Sequence, residues 1–599
     1  LKFARGIGKT RPANLQSSFV RTATSVAVIL ALCGSSLAQE RFAQERPAQE
    51  TTTLSRIAPD QTTLVPPVRE FRLPARVGVF GEVRLSLEQA LAMALANNND
   101  IDASKIDREE ADYALLGARG AFDPTVSAVS SWQRQVVPVA SALAGSSTGS
   151  LLTKVWQTDP TVSGSLPWLG GTYSTDFNSQ RTYTNNSFIT LNPQYPTSLN
   201  FQYTQPLWRN LRYDNNRHSL DVAKKNVSLS QEQFRQKVMQ VVLQTEQAYW
   251  ELAYAYNNLQ VQLEAVEIGR QQDESNRRQE REGLLAPIDV VAAQTQLAGF
   301  ELNAYSAQTA LTQAENALKL LILADRTSAM WAVAITPVTP ADMTVPVTPL
   351  ADAVAEALSS RPETAQVKIT KEINQSDTKF YRDQTKPQVD LVAMYTRAGL
   401  AGVSAPPTSN PLTASFGPII DRLNDLSASS GLPPLSLNFG SATPPLLIGD
   451  YGQSLSNLWA GDFPTAQFQL RVSLPIRNRA AEANLSRVLA ETRRIQNQKD
   501  QLEQSIEADV RNAMQAMGSA ALRRDAAQVQ RESAEEQYNS EQRQFRAGTS
   551  TLFLVQQRQT TMIAARSQER RAESDLGEAI AAFELATGSI LRQHNIQLR

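Results

Sequence analysis

The sequence predicts a mainly α-helical chain, built twice over on one plan, with amphipathic strands of the kind found in membrane β-barrels. Three observations carry this. Two long segments place apolar residues alternately three and four positions apart, the seam of a coiled coil. A set of landmarks recurs at a nearly constant offset. Between the helical runs lie Ser-, Thr-, Asn- and Tyr-rich stretches in which apolar and polar residues alternate. A chain of 599 residues also exceeds the size of one ordinary hydrophobic core, which favours an elongated or repeated architecture.

Composition narrows function by exclusion. Lys+Arg number 58 against 59 Asp+Glu, a balance that argues against a dedicated nucleic-acid binder. The two histidines, His218 and His594, are far apart in unrelated contexts, and Cys33 is the single cysteine. That supply does not assemble a His/Cys metal cluster, a Cys/His pair or a clustered Ser/His/Asp triad, so neither catalysis nor a cofactor nor a bound metal is expected.

Residues 1–38 read as a secretory signal. Lys2, Arg5, Lys9, Arg11 and Arg21 precede an apolar core from Thr22 to Cys33 and the small-residue exit Ser36-Leu37-Ala38. The core is too short for a spanning helix, which needs about 20 residues. Cleavage after Ala38 is expected, since Leu32 before Cys33 is bulkier than a lipoprotein signal places there. Losing five cations from a net charge of −1 leaves the mature chain at −6. Residues 39–84, repetitive and proline-bearing (QERFAQERPAQE), read as a flexible leader.

The first structural repeat is assigned to 85–349. Leu87, Leu91, Ala94 and Leu95 share a helical face, with Ser86 as N-cap and Gln89 three residues on, and one helix of about 36 residues is expected up to the break at Gly120–Pro124. Strands are expected at Thr125–Gln135 and Leu199–Leu207, with a further hairpin around 161–182. Phe201 and Tyr203 lie on the apolar face of the second strand. A helix from about His218 to Arg281 follows, with the seam Leu252, Tyr256, Leu259, Leu263 and Val266. The break at Arg281–Gln294 (REGLLAPIDVVAAQ) is the tip of a helical hairpin. Its returning arm, Pro287–Leu323, carries Ala304, Ala307, Leu311, Ala314, Leu318 and Leu321. An antiparallel coiled-coil spacer would look the same from this segment alone.

The second repeat is assigned to 350–599. Leu350, Ala353, Ala357 and Leu358 repeat Leu87, Ala90, Ala94 and Leu95 at an offset of 263, and Pro387 repeats Pro124 at the same offset. Val389, Leu391 and Tyr395 alternate as one strand, and Phe468, Leu470, Val472, Leu474 and Ile476 as another. The arm Ala480–Phe545, the break at Gly548 and the return from Thr551 to about Leu591 complete the copy, Gly548 lying 265 residues after Gly283.

These lengths dictate a geometry. A helix of about 65 residues is roughly 100 Å long and matches two of about 36 laid end to end, so long rods should lie beside stacked pairs. Four amphipathic strands per chain cannot close a barrel, and an open sheet in lipid leaves its edges unpaired. Three copies would supply twelve strands and remove the edges. A water-soluble sheet covering the rods is the competing reading.

In this order, LSLEQALAMALANNNDI (85–101), FDP (122–124), TQPLWRN (204–210), AYWEL (248–252), GLLAPIDVVAAQ (283–294), SLPIRNRAA (473–481) and RAGTSTLFLVQ (546–556) resemble the TolC-like outer-membrane channel family, the outer-membrane efflux proteins. The resemblance covers nearly everything from Leu85 to Leu591. It implies a homotrimer with a twelve-stranded outer-membrane barrel continued by a helical tunnel into the periplasm. Such a channel passively exports substrates in a tripartite efflux or type I secretion system, joined to an inner-membrane pump by a periplasmic adaptor. Gly283, Leu284, Ala286, Asp289, Gly548 and Thr549 would then form the adaptor-docking tips, and Phe201, Tyr203, Leu470 and Val472 would face lipid. Asp289 equally suits the positive end of a helix dipole. Leu554 and Gln557 stand where family members often place gate acids, so they are gate-region candidates without an acidic ring. A periplasmic adaptor and a coiled-coil scaffold are the alternatives. The first carries one hairpin rather than two, and the second does not explain repeated strands.

Overall fold

The computed structural model describes residues 70–598, apart from 141–144, 147–148, 341–342, 406–410 and 436–442. The expected signal and the leader up to residue 69 lie outside the described residues. In chain order the first half comprises β1 (Gly81–Leu85), α1 (Leu87–Asn97), α2 (Asn99–Gly120), β2 (Thr125–Pro138), β3 (Ser150–Ser165), β4 (Thr172–Thr184), β5 (Leu191–Pro206), α3 (Asn215–Arg281), α4 (Pro287–Ile322) and β6 (Val333–Pro337). The second half comprises α5 (Leu350–Ser360), α6 (Pro362–Gln384), β7 (Gln388–Ser404), α7 (Pro411–Ser429), α8 (Tyr451–Ala460), β8 (Phe463–Ser473), α9 (Arg479–Arg546), α10 (Leu552–Thr587) and α11 (Ile590–Gln593).

The long rods are α3 and α9, of 67 and 68 residues. On α3 pack α2 and, further along, α4, while α6 and α10 pack on α9 in the same way. The seams face inward: Leu252, Leu259 and Val266 of α3 are buried with Ala304, Ala307, Leu311 and Leu318 of α4. Small alanines let the arms approach closely, and burial of such faces supplies most of the stability of long helices.

The expected single helix from Leu85 to Gly120 is two. Asn98 ends α1 and caps α2, accepting from the amides of Asp100 and Ile101 at 2.9 and 3.3 Å. Its own amide donates to the Leu321 carbonyl at 3.0 Å, so a tertiary contact at the end of α4 fixes the break. The capping box at α1 has Gln89 N–H donating to Ser86 Oγ at 3.3 Å and Ser86 N–H donating to Gln89 Oε1 at 3.0 Å.

Contacts also begin earlier than Leu85, inside the segment expected to be a flexible leader. The Phe71 ring meets Tyr305 at 5.5 Å, Gln308 Nε2 donates to Pro74 O at 2.7 Å, and Arg76 pairs with Glu315 at 2.6 Å. β1 pairs in parallel with β6, and Tyr249 Oη donates to Leu85 O at 3.0 Å. A few widely spaced anchors hold this strap, which its polar, proline-bearing composition conceals.

The larger correction concerns the sheet. In place of the four strands expected, this sheet has six among the described residues, in the order β2-β3-β4-β5-β7-β8, all antiparallel. The hairpin expected around 161–182 is β3–β4, and it lies within the sheet between β2 and β5.

Candidate functional site

Registry assigns every strand residue to a face, because directly paired residues point the same way and neighbours along a strand point oppositely. One face carries Phe201, Tyr203 and Leu199 of β5, Leu391 and Tyr395 of β7, and Phe468, Leu470 and Val472 of β8. Phe177 and Tyr173 of β4 continue it. The opposite face carries Gln202 and Asn200, Gln467 and Gln469, Asp176 and Ser174, and Gln133 and Ser131. The apolar residues lie open on the surface: Phe468 is 79% exposed, Leu470 61% and Val472 62%. Phe201, Tyr203, Leu470 and Val472 are thus brought together on one side.

Both outer strands, β2 and β8, are exposed along their whole length. All four connections to long helices (α2 to β2, β5 to α3, α6 to β7, β8 to α9) leave from the same end of the sheet. At the far end α8 lies across β5 and β7. Thr197 and Ser454 hydroxyls meet at 2.9 Å, Asn457 Nδ2 donates to Leu400 O at 2.9 Å, and a Cβ on Gly399 would lie 2.2 Å from Ser454 O. Only glycine admits the helix there.

The two hairpin tips are built alike. Gly283 and Gly548 adopt φ +75 and +76, and the next amides, Leu284 and Thr549, donate back to Gln279 O at 2.8 Å and Gln544 O at 3.0 Å. This is a left-handed glycine cap that satisfies the last carbonyls of α3 and α9. Pro287 then opens α4 after Ala286, and Thr551 caps α10 by accepting from Leu554 N–H at 3.4 Å. Leu284, Ile288 and Phe553 are more than two-thirds exposed, while Val290 and Val555, further along the returning helices, are buried. Asp289 lies in the first turn of α4, and Leu554 and Gln557 are exposed on α10.

Further along, the hairpins are cross-linked. Arg566 joins Glu264 of α3 at 2.9 Å and Glu535 of α9 at 2.7 Å. Arg571 pairs with Glu251 and lies 5.0 Å from the Tyr254 ring. Gly577 sits under the Trp250 ring, where a Cβ would come within 2.7 Å.

Two ionic clusters were invisible in the sequence because their members are remote in the chain. Near the sheet, His218 stacks on Phe380 at 4.6 Å and contacts Asp377 at 2.7 Å, while Asp221 receives Tyr213, Lys225 and Ser376. Burial would raise Asp221, but those three partners prevail and hold it down at about 2. Near the chain end, His594 Nε2 lies 2.6 Å from Glu246 and 3.7 Å from Glu584. Burial, reinforced by the Glu246 charge, pushes Glu584 up to about 7. Burial lowers His594, but Glu246 and Glu584 overcome it and leave it raised. Glu246, Glu584 and His594 have ligand-type atoms within 4.8 Å of one another, close enough to hold a metal ion; the acid–imidazole pairing already accounts for their approach.

Among the described residues no helix is long and apolar enough to cross a membrane. The site thus consists of long helical hairpins joined to one end of a two-faced sheet. Residues 157–322 match the family model described as outer membrane efflux protein. In fold the chain is similar to a membrane protein from Pseudomonas aeruginosa, with 16% identity, 88% of this chain and 97% of that one covered, and a TM-score of 0.58. It is also similar to the CmeC outer membrane channel of Campylobacter jejuni (15%, 88% and 95%, 0.56) and to the open state of the MtrE outer membrane channel of Neisseria gonorrhoeae (14%, 88% and 98%, 0.54). No curated protein matches in sequence. The chain therefore shares its fold with these outer-membrane channels, and the match to the outer membrane efflux protein family model lies within that fold.

Proposed function

We propose that this protein is the outer-membrane duct of a tripartite efflux or type I secretion system, passing substrates delivered by an inner-membrane pump and a periplasmic adaptor. The carrying observation is the six-stranded sheet with one apolar and one polar face, two unpaired outer strands and every long helix leaving from one end. In lipid the outer strands must find partners, since each unsatisfied backbone group costs several kcal/mol. β2 and β8 run in opposite directions, so rotation about a common axis sets β8 of one copy antiparallel to β2 of the next. Three copies of six strands close an eighteen-stranded barrel, wider than the twelve inferred from four strands per chain. Gln202, Gln467, Gln469 and Asn200 then line a wet lumen.

The tips at Gly283, Leu284, Ala286, Asp289, Gly548 and Thr549 are the adaptor-docking end, and Leu554 and Gln557 border the aperture. Exposed Leu284, Ile288 and Phe553 supply apolar anchors for a partner helix, while the left-handed glycines aim the turns. A Cβ at either glycine meets nothing within 4 Å, so Gly283→Val or Gly548→Val strains the turn without a clash and should impair export while trimers persist.

Cysteine pairs scanned along β2 and β8 test the assembly. In outer-membrane fractions they should yield disulfide-linked ladders ending at the trimer. A protein recovered as a soluble monomer, or one whose β2 and β8 cysteines never cross-link, sinks the reading.

A further inference from the structure

On the apolar face, at the end of the sheet away from the long helices and beside the patch of β5 and β7 that α8 covers, β2, β3 and β4 carry a compact grid unlike the rest. Trp132 pairs with Trp156 and Trp156 with Arg181; two residues further out, Arg134 pairs with Lys154 and Lys154 with Tyr183. Trp132, Lys154, Trp156, Arg181 and Tyr183 line a cleft of about 300 Å³. Both tryptophans are at least 60% exposed, and Lys154 Nζ lies 5.8 Å from the Tyr183 ring. The nearest acids on these strands, Asp159 and Asp176, point to the opposite face, and among the described residues the three cations have no ion-pair partner.

We propose that this grid binds the phosphate-bearing sugar headgroup of an outer-leaflet glycolipid. The inference rests on the reading of this face as lipid-facing. Trp132 lies seven residues beyond Thr125, where β2 leaves the helices, and Arg134 nine. On a tilted strand that is roughly 18–23 Å, close to the outer edge of an apolar band about 25 Å tall. Aromatic side chains are at home at that boundary, apolar body inward and polar tip outward. Val126, Ala128, Val162 and Phe177 continue the face toward the helices. Ser130 and Thr158 intervene but satisfy one another at 3.2 Å.

A girdle alone would need no cations. Three of them on adjacent strands, without a carboxylate, leave an uncompensated positive field beside apolar surface. Arginine's planar fork and the lysine ammonium complement phosphate oxygens, and the open tryptophan faces suit the C–H surface of a sugar ring. A zwitterionic phospholipid offers the phosphate but not the ring. Free inorganic phosphate uses neither tryptophan.

The test uses the purified full-length protein in nanodiscs and reads lipid retention by native mass spectrometry. The lipids are a bis-phosphorylated lipid A, its dephosphorylated form and phosphatidylethanolamine, and inorganic phosphate is added as competitor. Wild type should retain the phosphorylated glycolipid at least about tenfold better than either other lipid, the span of one or two charge-assisted hydrogen bonds. Arg134→Gln/Lys154→Gln/Arg181→Gln should lose that preference while remaining a heat-modifiable trimer, and Trp132→Ala/Trp156→Ala should weaken it. Arg487→Gln/Arg493→Gln, on α9, should leave it unchanged. Equal retention by the triple glutamine variant overturns the site. Equal retention of phosphatidylethanolamine, or displacement by millimolar inorganic phosphate, overturns the assignment to a glycolipid. A wild-type protein that never enters the outer membrane overturns the channel reading and the site with it, whereas correct insertion without lipid preference overturns the site alone.

Discussion

Glu315→Gln tests the buried ionic junction that fastens the strap and β6 to α4. Glu315 and Lys319 are both only 1% exposed, with Lys319 Nζ 2.7 Å from Glu315 Oε1. Lys319 also donates to Trp331 O at 3.2 Å and Val333 O at 2.6 Å, and Glu315 Oε2 receives Arg76 at 2.6 Å and the Ile335 amide at 3.3 Å. Glutamine keeps the shape but removes the charge, leaving an ammonium facing neutral carbonyls. Breaking a buried pair from one side costs about 3–5 kcal/mol. The two remaining carbonyl partners place this case at the low end, about 3 kcal/mol, or roughly a hundredfold in a local opening equilibrium. Hydrogen exchange read at the Ile335 amide and its neighbours in β6 measures that opening directly, without requiring reversible global unfolding. Protection there should fall roughly a hundredfold while the sheet amides stay unchanged. Glu315→Leu/Lys319→Met, which removes both charges, should recover much of the loss. Unaltered protection in Glu315→Gln would refute the claim that this pair holds β6 in place.

Leu470→Arg should block membrane insertion, because a cation on the lipid side costs roughly 2–4 kcal/mol at the midplane, whereas Gln469→Arg on the other face should insert normally; the reverse outcome would mean the faces are inverted. Gly577→Val should lower the thermal midpoint, since its side chain must displace the Trp250 ring at an overpacking cost of about 1–3 kcal/mol. Gly577→Ala should cost less, because helix propensity returns about 1 kcal/mol. The Glu246–Glu584–His594 junction should be tighter at pH 5.5 than at pH 8. Glu584 moves from 4.5 up to about 7, so its contribution is complete below 4.5 and lost as pH rises through 7, and His594, raised above 6.5, loses its contribution in the same direction. Proteolysis of the α11 segment should therefore accelerate at the higher pH in wild type and change less in His594→Gln; faster cleavage in acid would refute the assignment.

The helical half of this fold was legible because its period is strict. Leu252, Leu259 and Leu311 fall on the seam and are buried in the same cluster. The glycine breaks were equally plain, since Gly283 and Gly548 occupy backbone that other residues resist. The strands were partly legible. β5 and β8 alternate cleanly, but β3 mixes Lys154, Trp156 and Pro160 on its apolar face and Val155 on the other, so its pattern dissolves. The break at Asn98, the seat of α8 on Gly399 and the His594 cluster all depend on contacts between distant residues, to which a local pattern is blind.

The contact of Gly577 with Trp250 has a mechanical consequence. Trp250 stands near the middle of α3, and the tip at Arg281 lies roughly 45 Å beyond it. A rod pivoting there acts as a lever: a tilt of about 6° sweeps the tip through roughly 5 Å with every backbone hydrogen bond of the helix intact. A side chain at Gly577 that displaced the Trp250 segment through a small angle would thus be magnified at the distant tip.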